Sequence, residues 1–264
     1  MIDSFAHAMR VQRTDRDQAV AISEAEGHAA LALLGKFRDG DWRRPTDCVG
    51  WDVRTLVSHL VAQCEDNISL RMMMRRHIVG RRRYPEKIAL DGHTAVQIDD
   101  HATETGPALV ENFASLWPRA TRARRWTPGP MRRVAVDTGM PGVPKLPIGY
   151  LLDVIYPRDL WMHRVDLARA TGQTVTLGEH DRQIIEQVIR DLALAWSAAP
   201  VALELTGVAG GSWLVGSGDP VAVVRADAVA YMRALSGRDD DVALELVSGA
   251  EDAIALVRNA RVVF

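Results

Sequence analysis

Three side chains of this sequence have the types and the spacing of a metal site. His59 lies near the end of the segment G-W-D-V-R-T-L-V-S-H-L, and Asp159 and His163 follow much later in the chain. Asp159 and His163 are four residues apart in a stretch with helical periodicity, so both project from one face of a helix. Two histidines and one carboxylate leave coordination positions open, which is typical of catalytic zinc or non-haem iron.

The spacing alone leaves simpler interpretations open. A histidine beside an apolar stripe is often bound to a backbone carbonyl, and an acid four residues before a histidine often forms an ion pair. Asp166 could orient a ligand from behind, or pair with Arg164 or Arg169. No comparable constellation surrounds the remaining histidines, which are His7, His28, His77, His93, His101 and His180.

Helices must position these residues. Apolar residues at helical spacing predict helices over residues 15–37, 52–64, 102–123 and 148–171. Asp52 is a candidate N-cap for the second helix, and Gly172 should end the fourth. Pro157 should kink the fourth helix just before Asp159, and Pro118 should bend or end the third. Four such helices predict a four-helix bundle, whose interior is a common place for a metal site.

The rest of the chain has a different pattern. Prolines and glycines predict an irregular connection over residues 126–147. Beyond residue 174, a helix over residues 181–196 precedes alternating strand patterns and a final helix over residues 250–258, which together indicate a small α+β domain. The predicted domains are residues 1–174 and 175–264.

Composition excludes several classes of protein. The chain has 264 residues, 47% of them hydrophobic, and a net charge of −2. No apolar run could cross a bilayer and no signal sequence is evident, so we expect a cytoplasmic protein without a membrane or nucleic-acid partner. Cys48 and Cys64 should be reduced thiols. Two arginine-rich groups, residues 71–84 and Arg119 with Arg122, Arg124 and Arg125, could attract an anion or simply be solvated.

Three segments carry a resemblance to a known family. Residues 42–60 (W-R-R-P-T-D-C-V-G-W-D-V-R-T-L-V-S-H-L), residues 158–172 (R-D-L-W-M-H-R-V-D-L-A-R-A-T-G) and residues 234–238 (A-L-S-G-R) resemble the mycothiol-dependent maleylpyruvate isomerase family, a branch of the DinB-like metalloenzyme superfamily. The resemblance implies that His59, Asp159 and His163 bind a divalent metal, usually zinc, inside the bundle. Asp159 stands where the characterised isomerase has a longer glutamate.

The same resemblance implies more about the C-terminal domain and the cosubstrate. That domain should be sterol-carrier-like and supply an arginine for an anionic ligand, for which Arg238 is the first candidate and Arg233 the second. Mycothiol is the expected thiol cosubstrate.

The predicted function is therefore a mycothiol-dependent isomerase or thiol transferase acting on a small, anionic electrophile. The open alternatives are a metal-dependent hydrolase, with Asp166 as its only candidate base, and a non-catalytic protein that binds a metal and a small ligand. The sequence leaves the oligomeric state open.

Overall fold

The computed structural model describes residues 5–137, 139, 142–238 and 242–264. It confirms the predicted α plus α+β class, and it contains many helices and a mixed β-sheet. The helices are α1 (Arg16–Leu34), α2 (Val53–Ile68), α3 (Leu70–Arg83), α4 (Ala89–Asp100), α5 (Gly106–Trp126), α6 (Gly129–Arg133), α7 (Ile148–Tyr150), α8 (Tyr156–Thr171), α9 (Glu179–Ala195), α10 (Ala228–Leu235) and α11 (Ala253–Asn259). The strands are β1 (Ala6–His7), β2 (Ala135–Val136), β3 (Leu146–Pro147), β4 (Val201–Thr206), β5 (Gly211–Val215), β6 (Ala222–Asp227) and β7 (Glu245–Gly249).

The chain separates into two compact units. The helical unit comprises residues 15–175, and the second unit comprises residues 1–14 together with residues 176–264. The predicted domains, 1–174 and 175–264, differ from these units at the N-terminus. There, the short strand β1 pairs in parallel with β5 of the second unit, a long-range pairing that local sequence does not encode.

Helices α1, α2, α5 and α8 share the core of the helical unit, whose buried members include Leu33, Leu60, Phe113 and Leu167. The caps agree with the sequence. The carboxylate of Asp52 accepts a hydrogen bond of 2.8 Å from the Thr55 amide and begins α2, as predicted. Gly172 ends α8 with a φ of +69°, a left-handed conformation that suits glycine, which confirms the predicted stop.

The helices differ from the sequence prediction in several places. Helix α5 does not end at Pro118 but continues to Trp126, because a proline costs a hydrogen bond without always ending a helix. A π-helical turn that the sequence did not predict spans Leu151–Ile155 and leads directly into α8, and the kink expected at Pro157 stays a prediction. The arginine-rich stretch and the residues after it form two helices, α3 and α4, and part of the predicted irregular connection forms α6 and a small β2–β3 ladder.

The second unit is built on a five-stranded sheet in the order β1-β5-β4-β6-β7. Strand β4 runs antiparallel to β5 and parallel to β6, and β6 runs antiparallel to β7 with an irregularity at Val223/Val224. The predicted helix over residues 181–196 corresponds to α9. No helix in the described part of the chain is both long and apolar enough to span a membrane.

Candidate metal centre

Helices α2 and α8 bring the three predicted ligands together. His59 and His163 are buried, with 8% and 5% of their surface exposed. His59 Nε2 lies 3.9 Å from Asp159 Oδ2, and His163 Nε2 lies 3.4 Å from Asp159 Oδ1. One potential ligand atom from each residue falls within 4.8 Å of the others. Two imidazole nitrogens and a carboxylate oxygen form a donor set that suits zinc, so the residues present fit such an ion.

The tautomer of His59 follows from its neighbours. Gln97 Nε2 donates a hydrogen bond of 2.6 Å to Asp66 Oδ2, and a carboxylate can only accept. The amide oxygen of Gln97 must then face His59 Nδ1, at 2.8 Å. Because that oxygen can only accept, Nδ1 carries a proton, which leaves Nε2, the nitrogen that faces Asp159, as the one that could bind a metal.

His163 is oriented by an acid on its own helix, where His59 is oriented by an amide. Its Nδ1 lies 3.3 Å from Oδ2 of the fully buried Asp166 and 3.8 Å from the Cys48 sulfur. Asp166 therefore contacts the side of the ring opposite to Nε2, as expected for a carboxylate that orients a ligand. This placement argues against Asp166 as the base of a hydrolase.

Each of the two arginines considered as partners of Asp166 contacts another carboxylate. Arg164 donates to Glu26 at 2.6 and 2.9 Å, and Arg169 donates to Asp47 at 3.2 Å.

Charge interactions within the triad are strong. Burial would raise the pKa of Asp159, but His163 and His59 outweigh this effect and hold that pKa well below its usual range. Burial would lower the pKa of His163, but Asp159, Asp166 and Cys48 outweigh it and raise that pKa well above its usual value. A proton on His163 thus takes the place of a cation, which is the charge that a metal ion would supply.

Gln63 is a site residue that the sequence did not single out. It lies one turn after His59 on α2, and its Nε2 donates a hydrogen bond of 2.8 Å to Asp159 Oδ2. Its Oε1 is buried and has no hydrogen-bond partner in the described structure. The four-residue spacing between His59 and Gln63 is the signal that could have identified it.

A cavity of about 430 Å³ adjoins the triad at His59 and Gln63. Its walls come from α3, α4, strand β2 and the start of α8, all within the helical unit. Sequence reasoning missed this cavity because it left α3 and α4 unassigned. The signal was present in Met73 with His77 and Met74 with Ile78, two pairs at the spacing of one helical face.

The two arginines predicted to bind a substrate belong to the second unit. Arg233 is a buried residue of α10, and the backbone amide of Arg238 donates to the carbonyl oxygen of Arg233 in the turn after that helix. Their roles remain predictions.

The arginine-rich groups form structural contacts. Arg76 is buried and forms ion pairs with Glu65, Asp66 and Asp100. The buried guanidinium of Arg124 lies 4.7 Å from the centre of the Trp117 ring. Arg125 forms an ion pair with Asp17.

The fold and the converging side chains define an α+β protein with a candidate metal site of two histidines and one carboxylate in its helical unit. Residues 23–168 match the family described as "Mycothiol maleylpyruvate isomerase N-terminal domain". The match covers more than half of the chain, which therefore belongs to this family and is an enzyme.

Solved structures agree with this assignment at the level of the fold. The chain is similar to the crystal structure of the mycothiol-dependent maleylpyruvate isomerase, with a TM-score of 0.58, 16% identity and coverage of 89% of this chain and 94% of that one. A histidine-to-alanine mutant of that isomerase matches with the same TM-score and coverage at 15% identity. No curated protein sequence matches the chain.

Proposed function

We propose that this protein is a mycothiol-dependent metalloenzyme, an isomerase or a thiol transferase, in which His59, Asp159 and His163 hold a divalent metal, zinc in the first instance. The observation that carries the proposal is the pair of histidine Nε2 atoms directed at one carboxylate, with each Nδ1 occupied by a separate acceptor. The family membership supports the thiol, and the donor set supports the metal.

The metal ion would activate the thiol, and the protein would orient the metal ligands. Zinc, when bound, would lower the pKa of the mycothiol thiol and so favour the thiolate, which is the nucleophile. Gln97 and Asp166 keep the two imidazoles in the tautomer that binds a metal, and Gln63 restrains the Asp159 carboxylate. The adjoining cavity provides the place for an electrophile next to His59.

Two reaction outcomes share this beginning. In an isomerase, the sulfur adds to one carbon of a conjugated cis double bond, the resulting single bond rotates, and elimination of the thiol restores a trans double bond. In a transferase, the carbon–sulfur bond remains and the adduct leaves. Both outcomes require the same three metal ligands and the same thiol.

The proposal extends to the architecture and the location. We propose that the helical unit is the DinB-like four-helix bundle of the family, formed by α1, α2, α5 and α8, and that the second unit is its sterol-carrier-like domain. The family supports both assignments. The cytoplasmic location stays a prediction from the sequence.

The first experiment measures metal content by elemental mass spectrometry. Wild-type protein should carry near one zinc per chain after purification or reconstitution, and His163→Ala should carry none. His28→Ala changes an exposed histidine of α1 and is the matched control, which should retain the metal. Full occupancy in His163→Ala would contradict the proposed ligands.

A second experiment tests the thiol. Zinc-loaded protein should convert a reactive electrophile, to its thiol adduct or to its trans isomer, only when mycothiol is present, and His163→Ala should lower this rate to that of the uncatalysed reaction. Bound zinc without thiol dependence would favour a hydrolase, and ligand binding without any turnover would favour a non-catalytic binding protein.

A further inference from the structure

The walls of the cavity beside His59 are largely apolar. The apolar lining consists of Met73, Met74, Ile78, Leu90, Val136 and Leu151. Methionine side chains are flexible and polarisable, so such walls adapt to apolar ligands of varied shape.

The apolar surface continues to the outside of the protein. Met74, Ile78 and Leu90 line the cavity although they are 52%, 46% and 42% exposed. Exposed large hydrophobic residues that converge on one cavity, instead of being scattered, mark a binding site for an apolar partner. Because these residues surround a cavity next to the metal ligands, the partner is a small molecule.

The described lining of the cavity provides no guanidinium or ammonium group for an anion. Asp66 and Asp137 line it, and no described arginine or lysine does. The residues outside the described ranges contain no lysine, arginine or histidine either. Burial, His93 and Arg81 lower the pKa of His77, which disfavours the charged form of this lining histidine.

The arginines of α3 do not change this balance. Arg76 lies behind Asp66, and its guanidinium is shared among Asp66, Glu65 and Asp100. Arg75 donates to Asp100, also away from the cavity lining. Arg81 acts on His77 through its charge without lining the cavity.

From these walls and charges we infer that the electrophile of this enzyme is a neutral, apolar molecule, bound between α3 and α4, and not the anion that the sequence led us to expect. The inference rests on the proposed function, because it assigns a ligand class to the same site. The simplest substrate is an apolar molecule with a carbon–carbon double bond conjugated to a carbonyl group. The thiol loses its proton, its sulfur bonds to the far carbon of the double bond, and the proton ends on the carbon next to the carbonyl group.

Binding is measured by calorimetry on the zinc-loaded full chain, without thiol. Benzylacetone, which is saturated and unreactive, is the neutral probe, and its para-carboxylate is the matched anion. We expect the neutral ketone to bind at least about tenfold more tightly, because an unpaired carboxylate loses its hydration in the cavity. Equal or tighter binding of the carboxylate would overturn the inference.

A pair of variants ties this preference to the cavity. Ile78→Arg adds a cation at the cavity mouth. It should reduce the ratio of the carboxylate Kd to the ketone Kd about two- to fivefold, which is the effect of an exposed ion pair. Leu70→Arg makes the same change at an exposed residue of α3 outside the cavity lining and should leave the preference unchanged. If both variants narrow it equally, the ligands bind elsewhere and the inference fails.

Turnover separates this inference from the proposed function. Mycothiol-dependent conversion, to a thiol adduct or to the trans isomer, is followed with the cis isomer of benzylideneacetone, the unsaturated relative of the neutral probe, and with its para-carboxylate. Faster conversion of the carboxylate would overturn the apolar assignment and keep the proposed function. No conversion of either compound, despite tighter binding of benzylacetone, would overturn the proposed function and keep the assignment of the cavity. Loss of carboxylate binding in Arg238→Ala would show that this arginine holds an anionic substrate, again overturning the inference.

Discussion

Asp66 determines, through Gln97, which nitrogen of His59 is available. Its own carboxylate is fixed by Arg76 at 2.8 Å and lies 2.7 Å from His93 Nε2. Burial would raise the pKa of Asp66, but His93, Arg76 and Gln97 outweigh it and lower that pKa. The Asp66 carboxylate therefore stays ionised and can only accept a hydrogen bond. The amide nitrogen of Gln97 must face Asp66, and its oxygen must face His59 Nδ1.

Replacement of Gln97 tests this orientation. We expect Gln97→Ala to weaken zinc binding about 10- to 100-fold, because His59 loses the acceptor that holds its ring and its tautomer. The measurement is the zinc Kd from competition with a chromophoric chelator, with circular dichroism to verify folding.

Gln187→Ala is the matched control for this variant. Gln187 is also a buried glutamine with two hydrogen bonds, to the backbone at Gln12 and Thr14 of the second unit. It should leave the zinc Kd unchanged even if it lowers stability. An unchanged Kd in Gln97→Ala would show that the tautomer is set in another way.

Sequence reasoning at the residue scale identified the three proposed ligands, which the structure brings together, but not the residues that orient His59. The triad was predictable because helical spacing and a family motif mark its members. Gln97 lies on a helix that the sequence left unassigned. Its role depends on Asp66 and, through Asp66, on Arg76, which lie on other helices, and the packing of separate helices is not visible in the local sequence. Only the four-residue spacing of His93 and Gln97 hinted that they share a face.

Helices α3 and α4 touch at two glycines. A Cβ atom built on Gly80 would lie 2.5 Å from the backbone carbon and oxygen of Gly92, too close for any contact. The two helices therefore approach backbone to backbone, and this approach sets the distance between two walls of the cavity.

Gly80→Ala should force these helices apart. We expect a loss of about 1–3 kcal/mol in the free energy of unfolding, as for overpacking of a tight interior. Binding of benzylacetone should weaken in the same variant because the cavity walls move. Gly40→Ala is the control, since no atom lies within 4 Å of the added carbon. Equal stability of the two variants, measured by urea denaturation, would contradict the close contact.

At the element scale, helices with an apolar stripe were predictable and the arginine-rich one was not. Helices α1, α2 and α8 bury wide apolar faces, and the periodicity of those faces is visible in the sequence. Helix α3 buries Arg76 and Gly80 and exposes several large apolar residues around the cavity, so its pattern resembles a solvated charged segment. The apolar residues that α3 exposes around the cavity therefore hide its helical pattern in the sequence.

For the whole molecule, metal binding should be linked to stability. An ion that binds only the folded chain stabilises it, by about 2.7 kcal/mol when free zinc is about a hundredfold above its Kd. We expect zinc to raise the midpoint of thermal unfolding of the wild-type protein, and a chelator to reverse the shift.

His163→Ala supplies the comparison for that effect. Its midpoint should not respond to zinc at the same concentration. A zinc-dependent rise in both proteins would indicate that the ion binds elsewhere in the chain, and the predicted link between the triad and stability would be wrong.

The π-helical turn Leu151–Ile155 fixes the rotation angle about the helix axis between Leu151, in the cavity wall, and Asp159, a proposed metal ligand. Leu151 lines the cavity and Asp159 belongs to the triad, on one continuous helical stretch. Each residue of a regular helix turns the chain by about 100°, so one added or deleted residue in this turn would rotate Leu151 by that angle relative to Asp159. A single residue inserted or lost here would thus give relatives of this enzyme a different cavity wall while the proposed metal ligands keep their positions.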